Sequence, residues 1–171
     1  MNRTDDIAPC DNSPTRWVVA AAYGVALMVF FLDGVTKQLT RQVLGVGDSI
    51  AMTPFFNYVH WRNTGAAFSM LADSGGWQRW ALVAVAAGAC AALVLWLRRE
   101  PSTPMRWGYA LLLGGAVSNG VERAVRGYVT DFLDFHWSGL HWPAFNVADM
   151  AICAAVVLIL WGEFARKKAH G

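Results

Sequence analysis

Residues 80–97 contain no charged side chain, and their sequence is WALVAVAAGACAALVLWL. A helix crosses the hydrocarbon core of a bilayer with about 20 mostly apolar residues. This run is therefore long enough to span a membrane. Only 15% of the whole chain is charged and 56% is hydrophobic, whereas soluble domains are about 25% charged. The composition predicts an integral membrane protein.

Three further apolar runs lie at 17–32, 107–121 and 150–162. Each of them is long enough to span only if it includes a few polar residues at one end. We therefore predict an all-α polytopic membrane protein that forms a single integral membrane domain over residues 1–171. Its four transmembrane helices are predicted at 17–40, 77–97, 106–125 and 145–163.

The distribution of Lys and Arg predicts the orientation. These residues are frequent in the N-terminal tail, in the link 98–106 and in the C-terminal tail, which all lie on one side of a four-helix topology. Short cytoplasmic segments are enriched in Lys and Arg. We therefore expect both termini to be cytoplasmic. Segments 41–76 and 126–144 are expected to be extracytoplasmic.

Polar residues in three of the helices are predicted to reach the same outer leaflet. They form same-face pairs at helical spacing: Asp33/Lys37, Asn119/Arg123 and Asn146/Asp149. An Asp at the centre of a bilayer costs about 2.5–3.5 kcal/mol on insertion scales, so such residues usually have a function. The convergence of three helices predicts a functional site near that leaflet. Asp131 and Asp134 lie in the neighbouring outer segment, where we interpret Asp134 as a solvated loop acid.

Several function classes are disfavoured by composition. The formal net charge of +2 is too small to indicate a nucleic-acid partner. The three cysteines are Cys10, Cys90 and Cys153, and no CxxC motif is present. This arrangement indicates neither a disulfide framework nor a metal site. We expect no metal and no cofactor.

Buried acids that pair between helices also suit a small proton- or ion-coupled transporter. Such a protein would use Asp131, Asp149 and Glu122 as a relay. It would also be expected to have polar residues through the helix centres, and the run 80–97 has none. The transporter stays an alternative at this point.

Four sequence blocks narrow the choice. FLDGVTK, RNTGAAFS, LGGAVSNGVERAVRGYVTDFLDF and PAFNVADMAI resemble, in that order, the motif blocks of the lipoprotein signal peptidase (signal peptidase II) family. Each motif is weak alone, but four in order on an independently derived topology are specific. The resemblance implies an aspartic endopeptidase of the bacterial inner membrane. Such enzymes cleave the signal peptide from diacylglyceryl-modified prolipoproteins just before the lipid-modified cysteine.

The resemblance also implies roles for individual residues. The catalytic acids would be Asp131 and Asp149. The supporting or substrate-binding positions would be Asn63, Asn119, Arg123, Asn146, Asp33 and Lys37. Family architecture implies a small extracytoplasmic β-structure over 50–70 and a short flap-like helix within 126–144. The active site would lie near the periplasmic leaflet, in a monomer that contacts membrane lipid.

The chain departs from the family pattern at Ser118, where Gly is frequent, and at Glu122, where Asp is frequent. Gly34 also stands where a longer polar residue is common. None of these changes touches Asp131 or Asp149, and we interpret Glu122 as a structural or tuning residue. A paralogue that binds lipoproteins without cleaving them stays a second alternative.

Overall fold

A computed structural model describes residues 16–65, 76–100 and 102–170. In chain order the elements are α1 (Arg16–Val43), β1 (Ser49–Thr53), β2 (Phe56–Asn63), α2 (Trp77–Arg99), α3 (Thr103–Arg126), β3 (Val129–Trp137), β4 (Leu140–His141) and α4 (Val147–His170). Residues 66–70 of the predicted β-structure, and Cys10, lie outside the described residues.

The helices turn polar groups inward and apolar groups outward. In α1, Asp33 and Lys37 are buried, whereas Leu32, Val35 and Leu39 are at least half exposed. This pattern is expected of a bundle whose solvent is lipid, because ionisable residues there face the interior. Three helices, α1, α2 and α4, are long and apolar enough to cross a membrane. The predicted membrane protein is therefore confirmed, but the count of four spans stays a prediction.

Helix α3 is the central helix and packs against α1, α2 and α4. Its glycine-rich sequence allows this close packing, as small residues do in membrane bundles. A Cβ atom on Gly115 would lie 2.6 Å from the carbonyl oxygen of Ala148. The first turn of α4 is therefore held directly against the middle of α3.

The four strands form one antiparallel sheet in the order β1-β2-β3-β4. The small β-structure expected over 50–70 is present as β1 and β2. Strand β3 pairs with β2, so that Trp61 lies opposite Asp131 and Asn57 lies opposite Asp134. The sheet thereby places Asp131 next to the end of the helical bundle.

The short helix predicted within 126–144 is wrong, because this segment forms strand β3 and a hairpin. Val129 and Thr130 are β-branched and aromatic residues follow, which favours a strand. Ser138 and Gly139 have φ angles of 49° and 81°. Positive φ at both central residues suits a two-residue hairpin turn. The resemblance gave the position of this segment correctly and its secondary structure incorrectly.

Asp134 is also not the solvated loop acid that we expected, because its side chain is 1% exposed. Asn57 Nδ2 donates to its carboxylate at 2.9 Å. The ring of His141 lies 2.9 Å from the same carboxylate through Nδ1. Asp134 therefore joins β2, β3 and β4 as a structural acid.

Candidate active site

Helix α4 begins with a reciprocal cap between two residues of the sequence pattern. Asn146 Oδ1 accepts a hydrogen bond from the backbone N–H of Asp149 at 3.0 Å. Asp149 Oδ2 accepts one from the backbone N–H of Asn146 at 3.2 Å. This is capping-box geometry, which satisfies two N–H groups that would lack helical partners. The spacing of three residues between Asn146 and Asp149 therefore fixes the carboxylate in the first turn of α4.

Asn146 also reaches the other candidate acid. Its Nδ2 donates to Asp131 Oδ1 at 2.7 Å, and Asn63 Nδ2 donates to Asp131 Oδ2 at 3.2 Å. The amide of Asn63 is itself oriented, because its Oδ1 accepts from the backbone N–H of Gly65 at 3.0 Å. The side chain of Asn146 thus joins the carboxylate of Asp131 to the backbone of Asp149.

Asn119 connects Asp149 to a buried cation. Its Nδ2 donates to Asp149 Oδ1 at 2.9 Å, while its Oδ1 accepts from Lys37 Nζ at 2.6 Å. Because an ammonium group can only donate, this contact fixes which end of the amide faces Asp149. Lys37 therefore orients the amide that holds one of the two acids.

Asp33 and Lys37, one of the same-face pairs of the sequence, form an ion pair with 2.7 Å between Oδ2 and Nζ. Asp33 is fully buried, and it also accepts from Ser118 Oγ at 2.6 Å and from the backbone N–H of Ala148 at 2.8 Å. An anion is stabilised at a helix N-terminus by the helix dipole and the unpaired N–H groups. Asp33 therefore joins α1 and α3 to the start of α4.

A cavity of about 920 Å³ lies beside the two acids. Its polar wall consists of Asn63, Asn119, Arg123, Asp131 and Asp149. The rest of the wall is mainly apolar and includes Ala116, Phe145 and Ile152. A largely apolar cavity with a few converging polar groups is typical of a ligand site. Within the described part of the chain, no group of three or more His, Cys, Asp or Glu side chains is placed to hold a metal ion.

The environment of Asp131 favours its protonated form. Burial and the neighbouring Asp149 carboxylate raise the pKa of Asp131 to about 7, although hydrogen bonds from Asn146 and Asn63 and the charge of Lys37 act in the opposite direction. Two close carboxylates of this kind share a proton and titrate as a pair. The site can therefore hold one acid and one base near neutral pH.

The family model described as Signal peptidase (SPase) II matches residues 25–165. The chain belongs to the signal peptidase II family. Its resemblance to that family, inferred above from four sequence blocks, is confirmed. Signal peptidase II enzymes are aspartic proteases, so the chain is a hydrolase of this class. Membership and the apolar helices make it an integral protein of the inner membrane.

Relatives and solved structures agree with this family. A lipoprotein signal peptidase of Shewanella baltica is 44% identical over 161 residues, which are 93% of this chain and 91% of the relative. That of Shewanella pealeana is 44% identical over 159 residues, which are 91% of this chain and 94% of the relative. A bacterial membrane enzyme solved by the in meso method at 2.3 Å resolution superposes with a TM-score of 0.80 at 28% identity. The match covers 89% of this chain and 92% of that one.

The signal peptidase II fold brings all of the predicted site residues together. Five of them line the cavity: Asn63, Asn119, Arg123, Asp131 and Asp149. Asn146 and Lys37 contact these residues directly, and Asp33 contacts Lys37. Membership of the family also favours the peptidase over the transporter.

Two residues of this network, Arg41 and Thr130, were missed by the sequence analysis. Arg41 Nη1 and Thr130 Oγ1 each lie 2.7 Å from Glu122 Oε1. Arg41 follows Lys37 by four residues, so the two share a face of α1. That spacing was the available signal, whereas the sequence analysis placed residue 41 only at the start of the extracytoplasmic segment 41–76.

Proposed function

We propose that this protein is an intramembrane aspartic endopeptidase that cleaves the signal peptide from diacylglyceryl-modified prolipoproteins just before the lipid-modified cysteine. Asp131 and Asp149 are its catalytic pair. The proposal rests on one observation: a single residue, Asn146, donates to two carboxylates in the wall of a mainly apolar cavity, through its side-chain amide to Asp131 and through its backbone N–H to Asp149. A site of this kind suits an apolar peptide segment whose scissile bond lies at membrane depth.

The two acids take different roles in the proposed reaction. Asp149 lies in the first turn of α4, where the helix dipole favours a carboxylate, so it is the base. Asp131 holds the shared proton, in line with its raised pKa. Water attacks the scissile carbonyl carbon as Asp149 takes a water proton and Asp131 protonates the carbonyl oxygen. This addition forms a tetrahedral gem-diol. Asp149 then passes its proton to the leaving nitrogen, and as the C–N bond breaks one hydroxyl group of the gem-diol returns its proton to Asp131, which leaves the carboxylic acid and the amine as products.

Arg123 is assigned to substrate binding and Asn63 to holding Asp131. Arg123 Nη2 donates to the backbone oxygen of Gly65 at 2.8 Å. Its Nε is buried and has no hydrogen-bond partner among the described residues. A guanidinium group held in this way can still donate to a substrate carbonyl or a lipid phosphate. Asn63 holds Asp131 on the same side of the cavity.

The membrane arrangement is also a proposal. Helix α3 is the fourth span, both termini are cytoplasmic, and the sheet and the acid pair lie near the periplasmic leaflet. The concentration of Lys and Arg in the N-terminal tail, the link 98–106 and the C-terminal tail supports this orientation. The protein acts as a monomer surrounded by membrane lipid.

A processing assay tests the function directly. The purified protein, reconstituted in nanodiscs, is expected to cut a diacylglyceryl-modified prolipoprotein and to release its signal peptide. Mass spectrometry should place the cut just before the modified cysteine, and added chelator should not change the rate. A protein that binds lipoproteins without cleaving them would leave this substrate intact, and that result would contradict the proposal.

The rate is expected to depend on pH at the periplasmic face. Because the pKa of Asp131 is raised to about 7, the pair keeps its shared proton up to that pH. The rate should therefore fall as pH rises through about 7, and it should fall again at low pH when both acids are protonated. The measurement is processing in sealed vesicles while the pH on one face is varied. A response confined to the cytoplasmic face would contradict the placement.

The orientation of these vesicles needs its own control. Cysteines are introduced at Ser138, in the hairpin turn, and at Ser102, before α3, after removal of Cys10, Cys90 and Cys153. An impermeant thiol reagent on the periplasmic face should label position 138 and spare position 102. Labelling of position 102 instead would reverse the proposed topology.

A further inference from the structure

Glu122 lies behind the cavity wall, and each of its carboxylate oxygens accepts two hydrogen bonds. Oε1 accepts from Arg41 Nη1 and from Thr130 Oγ1, both at 2.7 Å. Oε2 accepts from Lys37 Nζ at 3.0 Å and from the backbone N–H of Thr130 at 3.1 Å. One carboxylate therefore joins α1, α3 and β3 at a single point.

Arg41 also contacts Thr130 directly. Its Nη1 donates to Thr130 Oγ1 at 3.0 Å, so Arg41, Glu122 and Thr130 form a closed triangle of hydrogen bonds, which we call the Glu122 clamp. Thr130 is fully buried and directly precedes Asp131. Because the peptide unit between them is planar and stiff, a displacement of Thr130 moves the backbone of Asp131 as well.

The clamp is also linked to the second acid. Lys37 donates to Glu122, and it donates to Asn119, which in turn donates to Asp149. The Glu122 carboxylate is thus connected to Asp131 through Thr130. It is connected to Asp149 through Lys37 and Asn119. Contacts that begin at Glu122 therefore reach both acids.

Arg41 completes the charge balance of this cluster. Two buried carboxylates, Asp33 and Glu122, face two cations, Lys37 and Arg41. Without Arg41, the single charge of Lys37 would be shared between both carboxylates. The Lys37–Glu122 contact would then strengthen at the expense of the contact that orients Asn119. Arg41 therefore preserves the Lys37–Asn119 contact that orients the amide at Asp149. It also holds strand β3 at Thr130, next to Asp131.

We propose that Arg41 is a positioning residue that acts through Glu122 and Thr130 to hold Asp131 at the distance from Asp149 that catalysis needs. The proposal rests on the proposed function, because only a pair of reacting groups requires a fixed separation. Arg41 is not part of the cavity wall. It is therefore expected to affect the chemical step and not the binding of substrate.

The first test is steady-state kinetics of Arg41→Met in nanodiscs. We expect kcat to fall roughly 10- to 100-fold, as misplacement of a reacting group by about 1 Å does. KM should stay unchanged, since an interaction that acts only in the transition state alters kcat and not KM. Arg41→Lys keeps a cation near Glu122 Oε1 and Thr130 Oγ1, and it should therefore recover most of the lost kcat. A merely structural role would lower the amount of folded enzyme and leave kcat per folded molecule unchanged, which would overturn the proposal.

Thr130→Val provides a second variant of nearly the same shape. It removes the hydroxyl group that contacts both Arg41 and Glu122 and keeps the backbone N–H that donates to Glu122. Its kcat should fall by a factor similar to that of Arg41→Met. The effects of substitutions within one network are not additive. The double variant Arg41→Met/Thr130→Val should therefore be no slower than the slower of the two single variants. Effects that multiply in the double variant would show that Arg41 does not act through Thr130.

Gln38→Ala is the matched control. Gln38 Oε1 accepts from Arg41 Nη2 at 3.1 Å on the exposed side of α1, so this variant removes a contact of Arg41 that does not lead to Glu122. Its kcat should equal that of the wild type, and a loss as large as that of Arg41→Met would overturn the proposal. Asp131→Asn is run beside it. If Asp131→Asn is active, the proposed function is wrong; if it is inactive while Arg41→Met keeps the wild-type kcat, only the role of Arg41 is wrong.

Discussion

Replacing either Asp131 or Asp149 with Asn is expected to abolish processing of a modified prolipoprotein while the protein stays folded in the membrane. Asn has nearly the shape of Asp, but it can neither take a proton from water nor give one to the carbonyl oxygen. When residues act as one catalytic unit, removing one of them lowers kcat almost as much as removing all of them, by a factor of about 10⁴ or more. The double variant should therefore be hardly slower than either single variant. The measurement is the initial rate of signal-peptide release per folded molecule.

Asp134→Asn is the matched control for these variants. Asp134 lies on the same strand as Asp131 and is also buried, but it contacts Asn57 and His141 and is not part of the cavity wall. It is expected to keep a rate close to that of the wild type per folded molecule. Near wild-type cleavage by Asp131→Asn or Asp149→Asn would show that the catalytic pair is assigned incorrectly.

Lys37→Met is expected to destabilise the protein more than any other single change of a supporting residue. The side chain is 2% exposed, and its ammonium group donates to Asp33, Glu122 and Asn119. Methionine would fill the space but leave a buried carboxylate, Asp33, without its cation. Breaking a buried ion pair in this way costs about 3–5 kcal/mol. The midpoint of thermal unfolding in detergent should fall accordingly.

Two further variants separate this effect from a general loss of charge. Lys168→Met removes an exposed cation near the end of α4 and should leave the midpoint unchanged. Lys37→Met combined with Asp33→Asn removes both members of the pair, and it should be more stable than Lys37→Met alone. An unchanged midpoint for Lys37→Met would mean that the buried network does not stabilise the fold.

Helical spacing predicted much of the candidate site before any contact was known. Asp33 and Lys37 share a face of α1, and Asn146 and Asp149 share the first turn of α4, because both spacings match one helical turn. The hydrocarbon around the bundle makes these polar positions conspicuous. The contact between Asn119 and Asp149 could not be derived in this way, because it depends on how α3 packs against α4. Only the order of the motif blocks pointed to it.

The errors lie in the segment between α3 and α4. The β-branched residues Val129 and Thr130 and the aromatic residues that follow them favour a strand at 129–137. Ser138 and Gly139 favour the turn after it. The helix predicted here followed from the resemblance to the family and not from these local residue preferences. The burial of Asp134 could not be predicted either, because Asn57 is distant in sequence and reaches it only through the register of β2 against β3. Long-range pairing of strands is not encoded in local periodicity.

The capping box at the start of α4 has a consequence for inhibitor resistance. Asn146 and Asp149 cap the first turn of the helix, and Asn146 also holds the carboxylate of Asp131 through the other end of the same side-chain amide. An inhibitor that binds to these groups would contact atoms that the fold itself needs. A substitution there that weakens inhibitor binding would also unravel the helix start and stop catalysis. Resistant variants should therefore carry substitutions in the apolar part of the cavity wall, at positions such as Ala116 and Ile152. Inhibitors that make few contacts with those side chains should select resistance least often.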